Sequence, residues 1–203
     1  MRALAGAFKM PSTRTRLILK TAAATLVLAG LAAAATGAIV LRSGVYDTTA
    51  TSQHLQPVHT MLELGMRYSV RNHSSEVVVP PLGAQQQVAR GAAVYAAQCA
   101  QCHGGPGSAQ AKIGQSMQPL PGPLVDASER WQPRELYWIT KHGIKMSGMP
   151  AWQFHLSDAD IWSVVAFMGV LPTLSARDYA QATGEANVKE TPTSAPTNAG
   201  AAK

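Results

Sequence analysis

The chain has 203 residues, with 17 Lys and Arg against 11 Asp and Glu, which is room for one compact domain plus appendages. Six of the cations (Arg2, Lys9, Arg14, Arg16, Lys20 and Arg42) precede Val45 with no acid among them, and the rest of the chain holds 11 basic and 11 acidic side chains. A folded part without net charge excludes the basic face that nucleic-acid binding needs, so no nucleic-acid partner is expected and the high pI reflects targeting.

Residues 1–20 read as a basic cytoplasmic N-terminus. Residues 21–41 are uncharged and apolar, Thr21 to Leu41, and match the ~20 residues a helix needs to cross a bilayer. The cations before them orient that span with the N-terminus inside and everything from Arg42 onward exported. Retained, the segment is a transmembrane anchor; the Ala-rich run from Ala32 to Ala38 is the rival reading, a cleaved leader. A periplasmic connector follows over residues 42–83. Within it Leu55, Val58, Leu62 and Met66 share a weak helical stripe, and Val77 to Val79 before Pro80 and Pro81 read as extended chain. A compact domain is expected over 84–175, and a disordered tail over 176–203, too poor in large apolar residues to offset ordering entropy.

Three helices are expected inside the domain. The first, about Ala84 to Gln98, aligns Val88, Gly91, Ala92 and Tyr95 on one face. The second starts at Pro133, with Glu135 in its first turn, and stops at Gly143. The third is capped by Ser157, has Asp158 and Asp160 at its positive end, buries Ile161, Val164, Val165 and Met168, and ends at Pro172. No strand pattern interrupts them, so the domain is expected to be small and all-α. The stretch from Gly104 to Arg130 is loop-rich, and a loop of that length fits a compact fold only if something large fills the space beneath it.

Cys99-Ala100-Gln101-Cys102-His103 is a C-x-x-C-H sequence, the signature of covalent haem attachment. Two thiols at this spacing reach the two vinyl groups of one porphyrin, and the adjacent imidazole reaches the iron. Zinc needs two further soft ligands, and the chain has no other cysteine. A thioredoxin-like redox pair needs a strand-helix-strand setting that is missing, and a plain disulfide leaves His103 and the long loop unexplained. The cofactor expected is therefore one haem c. For the sixth iron position, the loop from His142 to Trp152 offers Met149 and Met146. Met149, between Gly148 and Pro150, lies in stiff non-helical chain, while Met146 fits as core filler. A thioether there raises the reduction potential, which suits a carrier. His142 and His155 are lesser candidates. His54, His59 and His73 read as surface histidines, since no second attachment motif accompanies them. Trp131, Trp138 and Trp152 are core or crevice residues, and Lys112, Lys141 and Lys145 belong to a solvated mixed-charge surface.

Cys-x-x-Cys-His-Gly, then Gly-Met-Pro-Ala-aromatic, then Ser-Asp-x-x-Ile-Trp-x-x-Val-Ala-Phe resembles class I monohaem cytochromes c of the membrane-anchored bacterial type, over about Ala84 to Pro172. The resemblance implies a helical domain around one haem c, held by Cys99 and Cys102 with His103 and Met149 on the iron. It also implies a crossing of first and last helices at which Gly91 and Tyr95 meet Phe167 and Trp162, and a proline carbonyl, of Pro121 or Pro123, that holds the His103 ring. The function it implies is one-electron transfer with no catalytic residues of the protein's own, in a respiratory or dehydrogenase-linked chain whose partners are membrane-bound dehydrogenases or oxidases. The different class is a haem enzyme or gas sensor with an open sixth position.

Overall fold

The computed structural model describes residues 12–184. Contacts divide the chain into two units, residues 1–49 and 50–203. The first contains one long helix, α1 (Thr13–Ser43). Ser12 caps it by accepting the Thr15 N–H, and Gly44, with φ +69°, ends it. Its 31 residues, with every side chain exposed, extend about 46 Å at ~1.5 Å per residue, more than the ~30 Å of a bilayer's hydrocarbon core. The apolar stretch 21–41 lies wholly inside it, so α1 is long and apolar enough to cross a membrane. The basic residues Arg2 and Lys9 lie outside the described residues.

The second unit is helical throughout; among the described residues the sole β-type contact is an isolated bridge between Gly105 and Ser108. Its elements are α2 (Gln56–His73), α3 (Gln85–Val94), a π-turn (Tyr95–Cys99), α4 (Ala100–His103), the single turns α5 (Lys112–Gln115) and α6 (Ala127–Arg130), α7 (Pro133–His142), α8 (Asp158–Val170) and α9 (Ala176–Thr183). The ends of α7 and α8 fall where their local signals put them. Gln132 and Glu135 form a capping box on α7 and Gly143 closes it. Ser157 Oγ accepts the Asp160 N–H at 3.1 Å on α8, and a short 3-10 turn at Leu171–Thr173 carries Pro172.

α8 is apolar nearly all round because it is the central element. It buries Ile161, Val164, Val165, Phe167 and Met168 between α3 on one side and α7 on another. At the α3–α8 crossing Gly91 faces the Ser163 carbonyl so closely that a Cβ would lie 1.9 Å from its oxygen. Arg90 pairs with Asp160 at the same crossing, and Tyr95 packs on Phe167 with ring centroids 5.3 Å apart. Trp162 does not join them. It stacks on Tyr137 of α7 at 4.1 Å, because one helical step past Ile161 turns it away from α3.

The first helix also runs further than its stripe suggests, through the π-turn and α4 to His103. A second difference lies at the other end. The stretch after Ser175, expected to be disordered, begins with α9, capped by Ser175 Oγ accepting the Asp178 N–H at 3.2 Å and ended by Gly184 at φ +78°. One side chain anchors it: Tyr179 is fully buried, edge-on to Tyr95 and beside Phe167, and ties the capped helix to the core. Tyr179→Ala is expected to lower domain stability by about 3–5 kcal/mol, read as the unfolding midpoint of the full chain, and Tyr179→Phe by far less. The tail from residue 185 lies outside the described residues.

α2, inside the expected connector, is docked on α7. Val70 is buried, His73 lies on Trp138 at 5.6 Å, and Arg71 reaches towards Glu135 at 3.9 Å. Leu55, Val58 and Leu62 of the weak helical stripe are exposed. Of that stripe only Met66 is part-buried.

Candidate functional site

The helix that begins as α3 changes hydrogen bonding just before the C-x-x-C-H sequence. In the π-turn the Ala100 N–H donates to the Tyr95 carbonyl, one residue further back than in an α-helix. An inserted residue of this kind rotates everything after it, and such bulges cluster at functional sites. Tyr95 fixes the turn that follows, its hydroxyl donating to the Gly104 carbonyl at 2.8 Å. Cys99 is buried in the core and Cys102 is half-buried; both are free thiols. Burial, with Cys102 beside it, pushes the Cys99 thiol up to about 12. A redox-active or metal-binding cysteine needs the opposite shift, towards thiolate.

His103 ends α4. Its Nδ1–H donates to the Gly122 carbonyl at 2.7 Å; a carbonyl can only accept, so this bond assigns the proton to Nδ1 and leaves the Nε2 lone pair available. Burial lowers the ring's affinity for a second proton, opposed by the bond to Gly122, which favours the neutral imidazole a metal requires. The acceptor is thus neither Pro121 nor Pro123 but the glycine between them. Both prolines have other duties: Pro121 O accepts from Gln110 Nε2, and Pro123 O accepts from Arg130 Nη2 at 3.1 Å. Three successive carbonyls are held in place, so the middle one is fixed where the imidazole needs it.

Met149 sits in a loop that is tied back on itself. The Ile144 N–H donates to Met149 O at 3.3 Å, and the Met149 N–H to Ser147 Oγ at 3.2 Å. Ser147 Oγ donates in turn to Ile144 O at 2.8 Å. Gly143, at φ +67°, lies against the Met149 and Pro150 backbone where a Cβ would come within 2.7 Å. Only glycine fits that corner.

His103 and Met149 line one cleft of about 250 Å³. Its walls are apolar, built from Leu124 and Ala127 of the long loop, Trp131, Leu136 and Ile139 of α7 and its approach, Ile144, and Met168 of α8. Met146 is not on the lining; it is 61% exposed, at φ +62°. Neither His142 nor His155 lines the cleft: His142 packs tilted against Trp138 and His155 edge-on to Trp152. Of the tryptophans only Trp131 does. Lys141 is engaged by Asp158 at 2.9 Å and Tyr137 at 2.9 Å.

Gly122, Pro123, Arg130 and Thr140 complete this part of the lining, and α2 closes the other side with Glu63, Met66, Arg67 and Arg71. Sequence reasoning missed this side. The signal was present as Arg67 and Arg71 one turn apart, but nothing local told which face of α2 would meet the domain. An aromatic planar group with an electrophilic metal at its centre fits this arrangement: an imidazole nitrogen and a thioether in one apolar cleft, with two thiols on the turn that delivers the imidazole.

Residues 86–168 match the family model described as "Cytochrome C oxidase, cbb3-type, subunit III". No curated protein and no solved structure matches the chain. The matched segment starts within α3 and ends within α8, so it includes the π-turn, the cysteines, His103, the Met149 loop and the helix crossing, and leaves α1, α2 and α9 outside.

Proposed function

We propose, from the premise that residues 86–168 are a monohaem cytochrome c domain, that this chain is a membrane-anchored electron carrier with one haem c. A cytochrome c domain implies haem c binding and electron transfer. Cys99 and Cys102 would carry the two thioether links, and His103 Nε2 and the Met149 sulfur would hold the iron. When bound, the haem supplies a one-electron ferric/ferrous couple.

The chain's own residues do the rest. Gly122 O orients the His103 ring and raises its basicity through Nδ1. The tied loop from Gly143 to Pro150 aims a soft neutral sulfur, which favours the ferrous state and a high potential. The apolar walls exclude water. α1 would hold the carrier at a bacterial inner membrane as a single pass, with Arg2, Lys9, Arg14, Arg16 and Lys20 inside and the haem domain in the periplasm. Tethering raises its effective concentration near membrane-bound partners. A dehydrogenase as donor and a terminal oxidase as acceptor fit, the second in keeping with the family's description.

The observation that carries this reading is the sharing of one apolar cleft by His103, its Nδ1 proton pinned to a carbonyl, and Met149. Pyridine haemochrome analysis of the membrane fraction tests it: a c-type spectrum reducible by ascorbate is expected. Met149→Ala is expected to lower the potential by on the order of 0.2 V, within the ~0.8 V that axial ligands command, and to open the ferrous iron to carbon monoxide. Ready carbon monoxide binding by the native protein would instead favour a gas sensor or haem enzyme.

A further inference from the structure

We infer that α2 is part of the porphyrin's receptor, and that Arg67 and Arg71 meet the carboxylate edge of the haem; this rests on the haem reading above. The charged groups lining the cleft are Glu63, Arg67, Arg71 and Arg130, an excess of two positive charges in an otherwise apolar lining. Haem carries two carboxylates on one edge. Without α2 the lining would offer only Arg130, itself paired with Asp126, so the haem carboxylates would face no free cation.

The geometry distinguishes the three arginines. Arg130 is committed to Asp126 at 3.0 Å and to Pro123 O at 3.1 Å. Arg67 pairs with Glu63 on its own helix at 2.7 Å, half-exposed. Arg71 has its closest carboxylate, Glu135, at 3.9 Å, too long for a hydrogen bond, so its planar fork of donors suits a second carboxylate. Arg67 and Arg71 are four residues apart on one helix and so project side by side. Val70 and the His73–Trp138 contact hold that face towards α7. All of these α2 residues precede the segment matched to the family, so this wall belongs to the chain's own connector.

Cations beside the haem carboxylates favour the ferrous form. Replacing both, as Arg67→Gln with Arg71→Gln, is expected to shift the ferric/ferrous equilibrium of the full-length holoprotein about tenfold towards ferric, a fall of ~59 mV for a one-electron couple. Arg67→Lys with Arg71→Lys is expected to keep most of the native potential. Arg177→Gln, on α9 and off the cleft lining, removes equal charge per substitution and is expected to leave the potential unchanged. Both targets are at least half-exposed, so folding should survive, and haem content is read on each sample by pyridine haemochrome. A double Gln variant that keeps its haem and the native potential overturns the inference alone, as does a Lys variant that falls as far as the Gln variant. Native protein without covalent haem overturns the electron-carrier reading and this inference with it.

Discussion

Cys99→Ala combined with Cys102→Ala is expected to abolish the c-type haemochrome spectrum and to leave a domain that unfolds at or near room temperature. The reason is the size of the cleft. The protein surrounds about 250 Å³ with Leu, Ile, Met and Trp side chains, and it cannot collapse there, because α7, α8 and the tied loop each hold one wall. At ~24 cal/mol per Å³ of cavity, failing to fill that space costs up to about 6 kcal/mol. A domain's entire stability is about 5–15 kcal/mol, so the loss is a large share of it. The thioether links matter for the same reason: they keep the space filled in dilute solution. If the cysteines were only core filler, the double variant would melt within a few degrees of the native protein, and a haemochrome assay would find no haem on either. Circular dichroism melts and haem stoichiometry on the same samples separate the two outcomes.

What could be read from the sequence and what could not divides along the range of the forces involved. The bounds of α7 and α8 are legible because their determinants are local: Pro133 at the start and Gly143 at the end of one, Ser157 and Pro172 around the other. The spacing of Cys99, Cys102 and His103 is legible for the same reason, and chain stiffness singles out Met149 over Met146, of which only Met149 lines the cleft. Gly122 could not be found this way. Its contribution is a backbone carbonyl, which every residue carries, and what selects it is the engagement of its two neighbours by Gln110 and Arg130. Tyr179 is a lone aromatic in a polar stretch, and only the pairing of Ser175 with Asp178 as a cap hints that a helix presents it to the core. Trp162 followed the family pattern on paper and yet stacks on Tyr137, since 100° per residue decides which neighbour it meets. For α2 the weak stripe does not mark the packed face: Leu55, Val58 and Leu62 stay exposed, and the helix packs through Val70 with Met66 part-buried.

Gly91→Ala is expected to destabilise the cytochrome domain by about 3 kcal/mol, the upper end of overpacking costs, although alanine is the better helix former. The added Cβ would lie 1.9 Å from the Ser163 carbonyl oxygen, 2.6 Å from its carbon and 2.9 Å from Phe167 Cβ. Two of these are backbone atoms in the middle of α8, so no rotamer change can relieve the contact, and the two helices must move apart. Tyr95 and Phe167, one turn further along the same crossing, would lose part of their packing as a result. The motion would also be felt at the site, since α3 runs through the π-turn into Cys99, Cys102 and His103 while α8 supplies the Met168 wall. Gly169 on α8 provides the opposite case. It is exposed, and nothing lies within 4 Å of where its Cβ would be, so Gly169→Ala is expected to stabilise by about 0.5–1 kcal/mol through helix propensity alone. The two substitutions are chemically identical and sit on helices that touch, so propensity predicts the same sign for both. Denaturant titrations of the two holoproteins giving opposite signs would locate the difference in the α3–α8 contact, and equal signs would show that the crossing is looser than the 1.9 Å approach requires.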